Sequence, residues 1–138
     1  MRFKKKINII ESWLDSRNVV LRWSNNHSYD PVTNEIFVSR RGSDKNIFYT
    51  LLHEVGHYIQ YNLSKPPPFI NYDQDEKTLV SMYHNMQEEI DAWQRGYSLA
   101  KKLKIPIDRK DYDKYAAKFV ATYIYYWSET LRRSRKPQ

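Results

Sequence analysis

The chain has 138 residues, of which 41% are hydrophobic and 28% are charged, so it suits one compact domain over 1–138 and is not a disordered tail. It contains no cysteine, which excludes disulfides, thiol catalysis and cysteine-ligated metal sites. No stretch approaches the roughly 18 apolar residues of a membrane span, and the apolar run near the start is too short for a signal peptide. We therefore expect a cytoplasmic protein that does not contact a membrane.

The net charge of +7 is concentrated at two basic ends, about 1–5 and 132–138, which we expect to be mobile. Basic segments can contact phosphates, and aromatic residues are interleaved with the basic ones near the C-terminal end. Tyrosines at helical spacing are more often part of a core, however, and a lysine-rich surface is usually only solvated. Nucleic acid is therefore a less favoured partner than protein, and the sequence leaves the oligomeric state open.

The first part of the chain predicts a helix followed by two or three short strands, of which two can be assigned. Residues 4–16 place apolar side chains at helical spacing, and residues 18–24 alternate in the manner of a strand with one apolar face. Residues 25–34 are dense in turn formers, and residues 35–41 form a second strand. We expect the two strands to pair antiparallel.

The rest of the chain predicts three helices. Ser43 or Asp44 can cap a central helix, and the segment 62–77, which contains three consecutive prolines, is a long connection. Helical spacing returns over 78–104 and again over 109–134. The predicted class is therefore α+β, with helices packed on a small antiparallel sheet.

The central helix carries the motif His53-Glu54-Val55-Gly56-His57. Residues four apart lie above one another on a helix, so the two imidazoles point to one place and can bind a zinc ion. Glu54 is one step round the helix, where it can accept a proton from a water held by the metal. Gly56 has no side chain, which allows another element to approach closely. The alternative is a half-buried helix whose histidines are satisfied by ordinary hydrogen bonds.

A hydrolytic zinc site needs a third protein ligand, and the candidates are Glu88, Glu89 and Asp91. At about 100° per residue, with Ala92 as the origin, the apolar stripe of this helix centres near 40°. Glu89 falls at about 60°, whereas Glu88 falls at about −40° and Asp91 at about −100°. A carboxylate that points into a core needs a partner, so Glu89 is the expected third ligand and Glu88 the fallback.

The motif followed by Glu89-Ile90-Asp91-Ala92-Trp93 resembles the gluzincin pattern HExxH…ExxA. The resemblance is closest to the small ImmA/IrrE-like metallopeptidases of phages and mobile elements, and it covers about 18–103. It implies a minimal zincin fold and one zinc ion, and some members of the family cut repressor-type regulatory proteins. This chain departs from the pattern at Trp93, since the family often has Asn or Asp there.

The resemblance also implies the roles of individual residues. It makes His53, His57 and Glu89 the zinc ligands and Glu54 the general base. In gluzincins a strand that borders the cleft can bind the peptide by edge pairing, and residues 35–40 are the candidate for that strand.

Other candidates depend on residue type alone. A peptidase needs a donor for the developing oxyanion, and we rank Tyr123 first because a C-terminal helix could close over the metal. Four further tyrosines are open alternatives: Tyr58, Tyr72, Tyr83 and Tyr126. His27 lies in a turn-rich segment and is expected to be solvated or structural, and His84 could pair with Glu88.

These observations predict a zinc-dependent metallopeptidase with a protein or peptide substrate, and they favour an endopeptidase over an exopeptidase. The alternative function is a catalytically silent module of the same kind that binds a protein or nucleic-acid partner. Glu54 favours the enzyme, because a purely structural metal site has no use for a base beside an open coordination position.

Overall fold

A computed structural model describes residues 1–64 and 78–134 of the chain. Within those ranges it contains four helices and three strands, which confirms the α+β class. The elements are α1 (Phe3–Asp15), β1 (Val20–Ser24), β2 (Ser28–Asp30), β3 (Glu35–Ser39), α2 (Asp44–Asn62), α3 (Leu79–Lys102) and α4 (Arg109–Ser134). None of the four helices is long and apolar enough to cross a bilayer.

The sheet is mixed, in the order β1–β3–β2. β1 pairs with β3 in parallel, with Val20 opposite Glu35, and β2 pairs with β3 antiparallel, with Tyr29 opposite Ile36. The prediction that the strands of 18–24 and 35–41 pair antiparallel is therefore wrong. The segment between them contains the short strand β2, so the chain reverses direction twice before β3 enters the sheet.

β3 lies in the middle of the sheet, so the prediction that residues 35–40 form its free edge is also wrong. The two edges are β1 and β2. A tight turn joins β2 to β3, in which the Asp30 carboxylate accepts a hydrogen bond from the Val32 amide at 2.9 Å. Asn34 completes the turn with a positive φ of 57°.

α2 lies at the centre of the fold and contacts the other three helices as well as β2 and β3. The Ser43 hydroxyl caps its first turn by accepting from the Asn46 amide at 3.2 Å. The largest fully buried core side chains come from all parts of the described chain: Ile10, Leu14, Val19, Ile36, Val38, Tyr49, Phe48, Leu51, Leu52, Trp93, Ile105 and Tyr112.

Two glycines allow α2 and α3 to touch through their backbones. A Cβ atom on Gly56 would lie 1.9 Å from the carbonyl oxygen of Ala92, and one on Gly96 would lie 2.3 Å from the carbonyl oxygen of Leu52. Neither distance is compatible with a side chain. The close approach that Gly56 was expected to permit is thus present, and it brings α3 against the face of α2 that carries the motif.

The ends of the described chain are helical. α1 begins at Phe3 and α4 reaches Ser134, so both basic ends are partly helix. Burial declines along α4, where Tyr112 is buried, Tyr123 is half-buried and Tyr126 is exposed. Of the expected connection 62–77, residues 65–77 lie outside the described part of the chain, and so does the candidate Tyr72.

Candidate metal centre

Two helices bring His53, His57 and Glu89 together. The Nε2 atom of His53 is 2.7 Å from the Oε2 atom of Glu89, and the Nε2 atom of His57 is 3.3 Å from the same oxygen. One donor atom from each residue lies within 4.8 Å of the other two. The spacing within α2 supplies the two imidazoles, and the close packing of α3 supplies the carboxylate.

The chemistry and spacing of these donors suit a metal ion. Two imidazole nitrogens and one carboxylate oxygen are a donor set of catalytic zinc sites. Around a tetrahedral zinc, donors at ~2.0–2.2 Å from the metal lie ~3.3 Å from one another. The contact between His57 and Glu89 already has that length, and the contact between His53 and Glu89 would need to widen by about half an ångström.

Without a metal, His53 and His57 each form an ion pair with Glu89 in a largely buried cluster. Burial alone would lower the pKa of His57, but the hydrogen bond and charge of Glu89 outweigh it and raise the pKa to about 9. Burial would raise the pKa of Glu89, but hydrogen bonds from His53 and His57 lower the pKa to about 2. The pKa of His53 is also raised, because contacts with Glu54 and Glu89 outweigh its burial. A divalent cation could displace the ring protons of His53 and His57 that face Glu89 and take their place as the partner of its carboxylate.

Glu54 is buried beside the three candidate ligands. Only 4% of its surface is exposed, and its Oε1 atom is 3.3 Å from the Nδ1 atom of His53. The His53 ring therefore lies between two carboxylates, with Glu54 near Nδ1 and Glu89 near Nε2. Glu54 lines the same cavity as the three donors, so its carboxylate can reach a water molecule in that cavity.

The cavity has a volume of about 260 Å³. Apart from the motif residues and Glu89, it is lined by side chains from the β2 region, α2, α3 and α4: His27, Ser28, Tyr29, Pro31, Tyr61, Glu88 and Tyr123. Tyr123 thus reaches the centre from α4, as expected of an oxyanion donor, although that role stays a prediction. Burial and the charges of Glu89 and Glu54 raise the pKa of Tyr123 to about 12, so its hydroxyl keeps its proton.

Glu88, the fallback ligand, lies in the cavity wall but outside the group of three donors. Its Oε1 atom accepts a hydrogen bond from the Tyr61 hydroxyl at 3.4 Å, and burial raises the pKa of its carboxyl group. His84 does not line this cavity, and its described contact is with the ring of Tyr83, at 5.5 Å between centroids.

Sequence reasoning missed His27. The residue is exposed, as expected, but it also lines the cavity directly before β2. Its Nδ1 atom accepts a hydrogen bond from the Ser39 amide at 3.2 Å, so in the neutral ring the proton lies on Nε2. Burial lowers the pKa of His27, which favours that neutral form. Only the position of β2 beside α2 could have identified this residue.

Two further residues contact the histidines. Trp93 stacks on the His53 ring, with centroids 4.3 Å apart and planes inclined by 13°. Gln60 places its Oε1 atom 2.9 Å from the Nδ1 atom of His57. The sequence singled out Trp93 only as a departure from the gluzincin pattern, and it did not single out Gln60. Its spacing of three residues from His57 was the available signal.

The chain was compared with protein-family models, with curated proteins and with solved structures, and no match was found in any of the three. We therefore infer the function from the geometry of this site and from the motif that forms it.

Proposed function

We propose that this protein is a zinc-dependent endopeptidase. The observation that carries the proposal is the group His53, His57 and Glu89, whose donor atoms lie within 4.8 Å of one another, with Glu54 in the same cavity. Two imidazoles and one carboxylate leave a coordination position open for water or substrate, which is the arrangement of a catalytic rather than a structural zinc.

Zinc, when bound, would polarise a peptide carbonyl and lower the pKa of a bound water molecule. His53, His57 and Glu89 would hold it. Glu54 would take a proton from the attacking water and pass that proton to the leaving amine. Tyr123 and the Nε2 hydrogen of His27, which both line the cavity, would donate hydrogen bonds to the oxygen that gains negative charge.

β2 is the element best placed to bind the substrate. It is an edge strand, and Ser28 and Tyr29 line the cavity. An extended peptide could pair with that edge through main-chain hydrogen bonds. Pairing along a strand recognises an internal stretch of polypeptide rather than a chain end, which supports endopeptidase activity on a protein or peptide substrate.

Elemental analysis of purified variants tests the metal ligands. We expect one zinc ion per chain in the wild type and in Glu54→Gln, and little zinc in His57→Ala or Glu89→Gln. Glu88→Gln is the matched control for Glu89→Gln, and it should retain zinc because Glu88 lies outside the donor group. A wild type that binds no zinc would contradict the proposal.

A quenched-fluorescent peptide library, with mass spectrometry of the products, tests the activity. Cleavage at internal bonds is expected for the wild type, and Glu54→Gln should lose about 10²–10⁴-fold in rate while it keeps its zinc. A zinc-loaded wild type that cleaves no library member and none of the cell's proteins would favour the silent binding module instead.

A further inference from the structure

Both the oxygen and the nitrogen of the Gln60 side-chain amide make hydrogen bonds. The residue is 3% exposed. Its Oε1 atom is 2.9 Å from His57 Nδ1, and its Nε2 atom donates at 2.8 Å to the carbonyl oxygen of Glu88 and at 2.8 Å to Oδ2 of Asp91. These contacts join α2 to α3 directly behind the group of metal donors.

The partners of the amide determine its orientation. The carbonyl of Glu88 and the carboxylate of Asp91 can only accept hydrogen bonds, so the nitrogen of the Gln60 amide must face them. The amide oxygen then faces His57, and it too can only accept. In the neutral His57 ring the hydrogen must therefore lie on Nδ1, which leaves Nε2, the atom that faces Glu89, free to bind a metal.

Asp91 is itself held in place. Its Oδ2 atom accepts from Nε of Arg95 at 2.5 Å, and Nη1 of Arg95 donates to the Ser64 hydroxyl at 2.7 Å. All of these side chains are at least partly buried. A continuous set of hydrogen bonds thus runs from Ser64 through Arg95, Asp91 and Gln60 to His57.

We propose that Gln60 is a positioning residue of the metal centre, and that Asp91 and Arg95 hold its amide so that His57 presents Nε2 to the ion. The proposal rests on the metal-binding half of the proposed function and not on peptidase activity. Asp91, whose helical phase excludes it from the donor group itself, instead orients the Gln60 amide.

The amide cannot be replaced by a carboxylate, although a carboxylate also accepts from an imidazole. At position 60 its second oxygen would face the Asp91 carboxylate and the Glu88 carbonyl, both of which are acceptors at 2.8 Å. Such a contact is repulsive, because buried acceptors then face one another with no hydrogen between them. Gln60→Glu should therefore weaken the site, and an added Asp91→Asn should restore part of the loss, because its amide can donate to the new carboxylate.

The test is the zinc dissociation constant, measured by competition with a chromophoric chelator. Gln60→Leu should weaken zinc binding about 10–100-fold, and Gln60→Glu should weaken it as well. The double variant Gln60→Glu/Asp91→Asn should bind zinc more tightly than Gln60→Glu alone. Gln87→Leu is the control and should bind as the wild type does, because the described hydrogen bond of the half-buried Gln87 amide is to Tyr83 and not to a metal donor. Rescue by Asp91→Asn tests the contact between positions 60 and 91, and the tautomer of His57 distinguishes positioning from a purely structural role.

A second readout is the tautomer of His57 in the zinc-loaded protein, from long-range ¹H–¹⁵N NMR correlations. We expect the hydrogen on Nδ1. Wild-type zinc affinity in Gln60→Leu, or a His57 ring protonated on Nε2, would overturn the proposal. If Gln60→Leu does not fold, the comparison of Gln60→Glu with the double variant still decides. A wild type without zinc would overturn this inference together with the metal site, whereas a zinc-loaded but inactive wild type would overturn only the peptidase.

Discussion

His57 and Glu89 carry opposite charges at neutral pH when no metal is bound. The pKa of His57 is raised from 6.5 to about 9, so its contribution to stability is fully present below pH 6.5 and is lost as the pH rises through about 9. The pKa of Glu89 is lowered from 4.5 to about 2, so its contribution is present above pH 4.5 and is lost as the pH falls through about 2. The metal-free site therefore stabilises the fold most between about pH 4.5 and pH 6.5.

Zinc binding should consequently depend on pH. Because the ion must displace a proton from His57, the zinc dissociation constant should fall as the pH rises from 6 to 9, while the melting temperature of the metal-free protein falls over the same range. Chelator competition and thermal unfolding at each pH measure the two effects. Zinc affinity that does not change with pH would show that His57 is not protonated in the metal-free site.

Helical phase correctly predicted that Glu89, and not its neighbour Glu88, lies in one group with the two histidines. The helical phase of Glu89 lies between those of the buried residues Ala92 and Trp93, and burial of a carboxylate requires a partner. Gln60 and His27 could not be chosen in this way. The role of Gln60 depends on which acceptors α3 presents to its amide, and the position of His27 depends on how β2 packs beside α2.

At the scale of elements, the contact between α2 and α3 sets the distance between the histidines and Glu89. Helix spacing alone predicted both helices and their buried stripes. It could not predict the sheet order, since β2 has only three residues and lies among turn formers. A strand that short shows no alternation of polar and apolar side chains, which is why the pairing of β1 with β3 was predicted in the wrong sense.

Gly56→Ala should separate these two helices. The added methyl group would meet the Ala92 carbonyl oxygen, so overpacking costs about 1–3 kcal/mol or more and exceeds the ~1 kcal/mol gained in helix propensity. We expect a lower free energy of unfolding and weaker zinc binding, because Glu89 moves away from His57. Denaturant unfolding and chelator competition are the measurements.

Ser98→Ala is the matched control for that substitution, since it adds no atoms on the exposed face of α3 and should change stability by no more than ~0.5 kcal/mol. A Gly56→Ala variant as stable as the wild type, with unchanged zinc affinity, would contradict the role given to the backbone contact.

For the whole molecule, charge is distributed unevenly. The chain carries a net charge of +7, yet Glu54, Glu88 and Glu89 all line one cavity. The cavity thus has the sign that attracts a cation, while the basic ends of the chain lie on other segments. Contact of those ends with nucleic acid stays a prediction.

Metal loading should stabilise the whole fold, because the donors come from the two helices that form the centre of the core. A ligand at ~1,000 times its dissociation constant adds ~4 kcal/mol, which for a chain of this size corresponds to a rise in melting temperature of roughly 10–20 °C. Calorimetry with zinc and with excess chelator measures the difference. His57→Ala should melt at the same temperature with zinc and with chelator. If zinc raises the melting temperature of this variant as much as that of the wild type, zinc binds elsewhere.

Because Trp93 stacks on His53, the fluorescence of this tryptophan should respond to the state of the metal site. A protonated imidazole in contact with an excited indole accepts an electron and quenches its emission, and the pKa of His53 is raised by Glu54 and Glu89 against the effect of burial. Zinc replaces that proton, so tryptophan emission should brighten during a zinc titration. Trp93→Phe should abolish the change, whereas Trp23→Phe should preserve it. Trp93 would then report, without any added dye, whether the centre holds its ion.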